Sequence, residues 1–258
     1  MHRGFKLTLN WKDEDYYQKG LVDFETDKTS IRKTLSEFIG KDGILHGSRL
    51  QATWFHQLEA DIFLSHSHGD RKAAIALAGW ITENFNLKVF IDSCIWDHSN
   101  DLLRLIDNHY CLNPGGKTYS YEKRNESTSH VHMMLSTALS MMIDKAECLF
   151  FLNTPNSIQA TEAIDRTKSP WIYHEISISS LIRKRRLSEY RREVTKAFSM
   201  GGRVNESAMA NYDLCLGHLQ NLTGLDLDNW REAWDEVSLN KKYPLDELYD
   251  LFPVDKIL

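Results

Sequence analysis

Asp61-Ile62-Phe63-Leu64-Ser65-His66-Ser67-His68-Gly69-Asp70 is the stretch on which the fold turns. Its apolar core, Ile62 to Leu64, is too short for a helix and reads as a buried strand. The polar run after it ends the strand, and Asp70 is a residue type that caps a helix start. Ile75, Ala78, Ile81 and Phe85 then recur at helical spacing, and Lys88-Val89-Phe90-Ile91-Asp92 forms a second apolar strand. Two buried strands separated by a helix predict parallel pairing, because a parallel connection needs a crossover.

Working outward toward the C-terminus, the loop Ser93 to Ser99 leads into a helical stretch from about Asp101 to His109. Residues 110–128 are polar, contain Pro114-Gly115-Gly116, and read as an inserted loop. Val131 to Ala146 is apolar on nearly every side, as a helix in the middle of a fold should be. Cys148-Leu149-Phe150-Phe151-Leu152 is the most strand-like segment of the chain. Ser169-Pro170 then pairs a capping serine with a proline at the first helical position. That helix is expected to run through Arg183-Lys184-Arg185-Arg186, whose charge suits a helix C-terminus. Further on, Tyr212 to Leu219 reads as a weak strand, and Leu227 to Val237 and Pro244 to Phe252 as helices.

In the other direction, residues 1–57 read as an N-terminal extension with one helix, from Thr29 or Ser30 to Gly40. The division expected is therefore an extension over 1–57, an α/β domain over 58–204, and a mostly helical extension over 205–258. With 42% apolar and 26% charged residues, 258 residues can build a sizeable core. A net charge of -5 excludes a global basic field for nucleic acid. The four cysteines form no C-x-x-C pair, which fits reduced thiols in the cytoplasm. The longest purely apolar run, Cys148 to Leu152, is far too short to span a membrane, and Met1 to Asn10 lacks a signal-peptide core.

Three segments, taken in order, resemble the bacterial TIR (Toll/interleukin-1 receptor) domain family. They are Asp61 to Ser67 with Asp70, then Val89 to Asp92, then Cys148 to Asn153 followed by Ser169-Pro170-Trp171-Ile172-Tyr173-His174-Glu175. The last resembles the family's strand, loop and W-x-x-x-E helix. Each motif alone is common, but the ordered set is specific, and it covers about residues 58–200. The resemblance implies a flavodoxin-like, doubly wound parallel sheet. It implies an enzyme that breaks the nicotinamide–ribose bond of NAD, with NAD as substrate and no cofactor. The products would be nicotinamide and ADP-ribose or a cyclic ADP-ribose-type signal. A homo-oligomer is implied, with the loop Ser93 to Ser99 reaching across the contact. So is anti-phage defence of the Thoeris kind, in which a separate effector protein responds to the nucleotide product. Where the family carries a Pro-Gly pair, this loop has His98-Ser99.

The residues themselves support a site. Trp171 and Glu175 are four apart and share one helix face. Cleaving the nicotinamide–ribose bond develops positive charge on the ribose, which a nearby carboxylate stabilises. An indole offers a flat face to an aromatic or cationic ring. On a helix met in isolation, such a pair is more often a core tryptophan and a surface charge. Glu175 is the expected catalytic residue and Trp171 a substrate wall. Ser65 and His66 sit at the carboxyl end of the first strand, where parallel sheets bind ligands. Asp92 and Ser93 end the second strand and either line the same crevice or cap a turn. The histidines fit no zinc spacing, and no metal is expected. The basic run from Arg183 to Arg192 reads as a solvated helix end. Two other functions stay open: a non-catalytic TIR adaptor, which has no use for a carboxylate at position 175, and a nucleotide-binding flavodoxin-like protein of another kind.

Overall fold

The computed structural model describes residues 1–9, 14–27, 35–95, 99–160, 165–191, 212–237 and 243–254. Strand β1 (Arg3–Thr8) is followed by helices α1 (Glu14–Asp27) and α2 (Gly47–Trp54). Next come β2 (Ile62–Ser65), α3 (Arg71–Phe85) and β3 (Val89–Phe90), then α4 (Asp92–Ile95) and α5 (Ser99–Ile106). A π-helical turn, Asp107–Cys111, precedes the long α6 (Tyr121–Lys145) and β4 (Cys148–Leu152). Short strands β5 (Gln159–Ala160) and β6 (Asp165–Thr167) lead to α7 (Pro170–Leu181) and α8 (Leu187–Tyr190). The remaining elements are β7 (Tyr212–Asp213), β8 (Gln220–Thr223), α9 (Gly224–Val237) and α10 (Pro244–Leu251).

The main sheet is parallel throughout, in the order β3-β2-β4-β1-β8. The strands expected at 60–65, 88–92 and 147–153 pair side by side as its first three members. Every residue of β2 and β4 is buried, so both faces of the sheet are covered. On one face α1 packs on α3, and α3 and α10 pack on α9. On the other, α2, α5 and α7 pack on α6. Phe150 points to the first layer, with its ring 6.4 Å from Trp230 of α9. Numbered along the chain the five strands lie in the order 3-2-4-1-5; β3-β2-β4 match the start of a flavodoxin-like order, with which the sheet is compatible, and the N-terminal strand takes the next place. A separate antiparallel sheet, β5-β6-β7, flanks α7.

Several expectations are corrected. The sheet does not begin at Ala60: β1 lies between β4 and β8, so both chain flanks contribute strands to the core. Its charged residues disguise it. Phe5 and Leu7 are fully buried, while the Arg3 guanidinium donates to the Phe252 carbonyl at 2.6 Å and lies over the Tyr249 ring. Helices α1 and α2 were not anticipated. The Thr29-to-Gly40 helix is a 3₁₀ turn at Leu35–Phe38, and Thr29 to Thr34 lie outside the described residues. The loop expected over 110–128 is only partly a loop. Helix α6 starts at Tyr121 with Ser120 as its cap, and its first turn is exposed and polar, which hides it from an apolar-period reading. Helix α7 stops at Leu181. The basic residues beyond it make ion pairs instead: Arg183 with Glu189, Arg185 with Asp144, and Arg191 with Glu147 and Asp246. The strand read over Tyr212 to Leu219 shrinks to Tyr212–Asp213, and the sheet strand follows it at Gln220–Thr223. Among the described residues no helix is long and apolar enough to cross a membrane. Cys111, Cys148 and Cys215 are free thiols.

Candidate functional site

The strand register assembles the site. Phe63 is level with Phe90 at the end of β3, and just beyond it Asp92 and Ser93, expected as strand ends, instead open α4 and both reach His66. On the other side Ser65 is level with Phe151 near the end of β4. The neighbours β2 and β4 are the strands between which the sheet order reverses, and a parallel sheet opens its ligand crevice at the carboxyl edge there.

Helix α7 brings the carboxylate to this edge. Ser169 caps it by accepting from the Ile172 N–H at 3.3 Å, and Pro170 occupies the first turn, as the sequence indicates. Its inward face carries Ile172, Glu175, Ile176 and Ser179, all buried. Glu175 is 2% exposed, and its Oε2 accepts from the Ser65 hydroxyl at 2.5 Å. Burial pushes the Glu175 carboxyl well above the usual carboxylate range; the negative charge of Asp92 adds to this, and the Ser65 hydrogen bond opposes it.

A second group adjoins the first. His66 Nε2 lies 2.8 Å from the Ser93 hydroxyl, and its Nδ1 lies 3.8 Å from Asp92 Oδ1. Burial lowers the His66 pKa, with Asp92 pulling the other way. Burial likewise raises the Asp92 carboxyl, with His66 opposing, although a quarter of that side chain remains exposed. Of the residues named from sequence, Ser65 and Glu175 are thus joined, as are His66, Asp92 and Ser93. The charge of Asp92 links the two groups. Trp171 stands apart: it packs against the core, and its ring contact is edge-on to His132 of α6 at 5.6 Å. His174 also faces α6, between the Ser136 carbonyl at 3.0 Å and the Ser140 hydroxyl at 3.1 Å.

A third group of residues corrects the expectation that Asp70 caps the helix after β2. Asp70 stands at the N-cap position of α3 without capping it. Its carboxylate instead accepts from the Thr154 hydroxyl at 2.5 Å and from Asn156 Nδ2 at 2.7 Å. Ser157 completes the turn, donating to the Leu152 carbonyl. This bridge ties the loop after β2 to the loop after β4 at the carboxyl edge of the sheet. The polar run Asn153 to Ser157 was its only trace in sequence.

Comparison with protein-family models, with curated proteins and with solved structures gives no match. Two surface cavities lie elsewhere. One of about 530 Å³ is lined by Arg104, Asp107, Tyr119 and Arg124, and one of about 580 Å³ by Asp61, Lys88, Trp234 and Tyr243 at the opposite strand ends. Among the described residues no three His, Cys, Asp or Glu side chains converge as a metal site would require.

Proposed function

We propose that this chain is a TIR-type enzyme that consumes NAD, cleaving the bond between nicotinamide and ribose, with Glu175 as the catalytic carboxylate. The observation that carries this reading is the placement of Glu175. It is a buried carboxyl with a hydroxyl partner, at the carboxyl edge of a parallel sheet where the strand order reverses. Burying a carboxyl costs stability, and such a cost is retained where the group acts on a ligand.

The substrate suits that carboxyl. Its nicotinamide ring is cationic, and positive charge migrates to the ribose as the bond breaks. A cation brought against Glu175 favours the ionised form and counters the effect of burial. The proton leaves to water, and the carboxylate then faces charge as it develops, in a site with little water to screen it. Ser65 holds the carboxylate in place. Anti-phage signalling to a separate effector, action in the cytoplasm and assembly through the segment Ser93 to Ser99, expected as a loop but opening within α4, belong to the same proposal.

The test is nicotinamide release from NAD by the purified chain. Glu175→Gln keeps size and most hydrogen bonding but removes the charge. Release should fall by at least about a hundredfold, as expected for losing on the order of 3 kcal/mol of preorganised electrostatics. A wild-type chain that releases no nicotinamide, or a Gln variant that matches it, would sink the assignment.

A further inference from the structure

Ser93, His66 and Asp92 form a graded series of contacts that the cleavage chemistry above does not use. The Ser93 hydroxyl is 2.8 Å from His66 Nε2, within hydrogen-bond reach. The His66 side chain is almost wholly buried, so its ring is held in one place. Its other nitrogen, Nδ1, is buried with no hydrogen-bond partner. The charged group it faces is Asp92, at 3.8 Å. A movement of about 0.8 Å would make this a hydrogen bond, and such contacts are often loose before a substrate is bound.

This is the arrangement that turns a serine hydroxyl into a nucleophile: hydroxyl to imidazole, imidazole to carboxylate. With Nδ1 protonated toward Asp92, Nε2 is left free to accept the Ser93 proton. Burial favours the neutral imidazole, as a general base requires, and Asp92, the Leu64 backbone and Asp70 temper that shift while His68 adds to it. Ser93 itself is half-buried, so a bound substrate can reach it.

We propose that Ser93 is a nucleophile, with His66 as its general base and Asp92 as a positioning residue, and that it accepts the ADP-ribosyl group released in the reaction proposed above. The enzyme thereby modifies itself. The inference rests on that reading for its electrophile but not for the activation of the serine. In the step, the bond from ribose C1′ to the nicotinamide nitrogen breaks, and its electron pair leaves with nicotinamide, which becomes neutral. A bond forms between Ser93 Oγ and C1′. The hydroxyl proton passes to His66 Nε2, which carries the positive charge the substrate brought. The product is a glycosidic C–O bond to serine.

Two measurements on the full chain test this. An alkyl fluorophosphonate reports activation without NAD: Ser93 Oγ displaces fluoride, and the labelled peptide is mapped by mass spectrometry. Labelling at Ser93 should far exceed that at other exposed serines, and His66→Gln should slow it by at least about a hundredfold, the range of general-base catalysis. Asp92→Asn should slow it by at least about tenfold while leaving the melting temperature of the variant near wild type. An unreactive Ser93, or labelling indifferent to His66, overturns the proposal. Incubation with NAD is the second measurement. One ADP-ribosyl group should appear on the Ser93 peptide, absent in Ser93→Ala, and it should resist neutral hydroxylamine. A hydroxylamine-labile adduct would place the group on a carboxylate such as Glu175 or Asp92 and refute the serine assignment. Nicotinamide release with no Ser93 adduct refutes the acceptor role alone, whereas absence of nicotinamide release refutes the cleavage reading beneath it.

Discussion

Glu175 works against the stability of the protein that holds it, and this can be measured. Its carboxyl binds a proton more tightly in the folded chain than in the unfolded one, because burial raises its pKa well above 4.5. The folded state is then favoured in acid, and stability is lost as pH rises from the ordinary carboxyl range through the raised folded value. Glutamine has no proton to lose. Glu175→Gln should therefore melt close to wild type near pH 4 and progressively above it as pH rises, the gap levelling off once the folded carboxyl has ionised. Thermal melts across that range check this, and a constant or narrowing gap would show that the carboxyl is better solvated than its burial indicates. Trp171→Ala should destabilise at every pH alike, by roughly 2 kcal/mol for a half-buried indole packed on His132. At this scale much was legible. Spacing put Glu175 one turn from Trp171 on a capped helix and the resemblance singled it out, while strand ends selected Ser65, His66, Asp92 and Ser93; that Glu175 faces inward while Trp171 turns to His132 was not legible. The Asp70 bridge was not legible, since a side chain at an N-cap position gives no sign that its partners lie on a distant loop.

Helices α1 and α3 meet through glycine. A methyl group on Gly79 would lie 2.3 Å from the Tyr16 carbonyl oxygen, and one on Gly20 would lie 2.2 Å from that of Ile75. Both obstacles are backbone, so neither can turn aside. Gly79→Ala should cost about 3 kcal/mol or more despite the better helix propensity of alanine, because the two helices must separate. Denaturant unfolding of that variant decides the point; a gain in stability would mean that α1 is not docked as described. Elements were readable where one physical signal dominated. β2, β4 and the start of α7 announce themselves by apolar runs or a Ser-Pro pair. β1 does not, because Arg3 and Lys6 interrupt its apolar residues and the reason Arg3 is tolerated lies in α10, far along the chain. α6 begins early because its polar first turn is set by the Ser120 cap rather than by packing.

For the molecule as a whole, the proposed function carries with it a site completed between neighbouring copies. Trp96 to His98, in the loop thought to reach across, lie outside the described residues. Activity per molecule should then fall on dilution, with a parallel loss of dimer or larger species by light scattering. Activity that stays proportional to concentration in a demonstrably monomeric sample would count against assembly. The layered α/β class could be read from three strands and their helices, whereas the full strand order could not, because nothing local tells a strand which distant partner it will meet. That order has a consequence for how the protein is made. Phe5 pairs with both Phe150 and Gln220, so the strand synthesised early waits for partners far behind it. A ribosome must deliver β8 before the sheet is complete, and until then β1 exposes an unpaired edge. Synthesis that stalls before residue 220 leaves a sticky fragment rather than a smaller folded domain. The chain is in this sense built all at once or not at all, and chaperones that shield nascent strands should matter more to it than to a domain whose sheet grows in the order of translation.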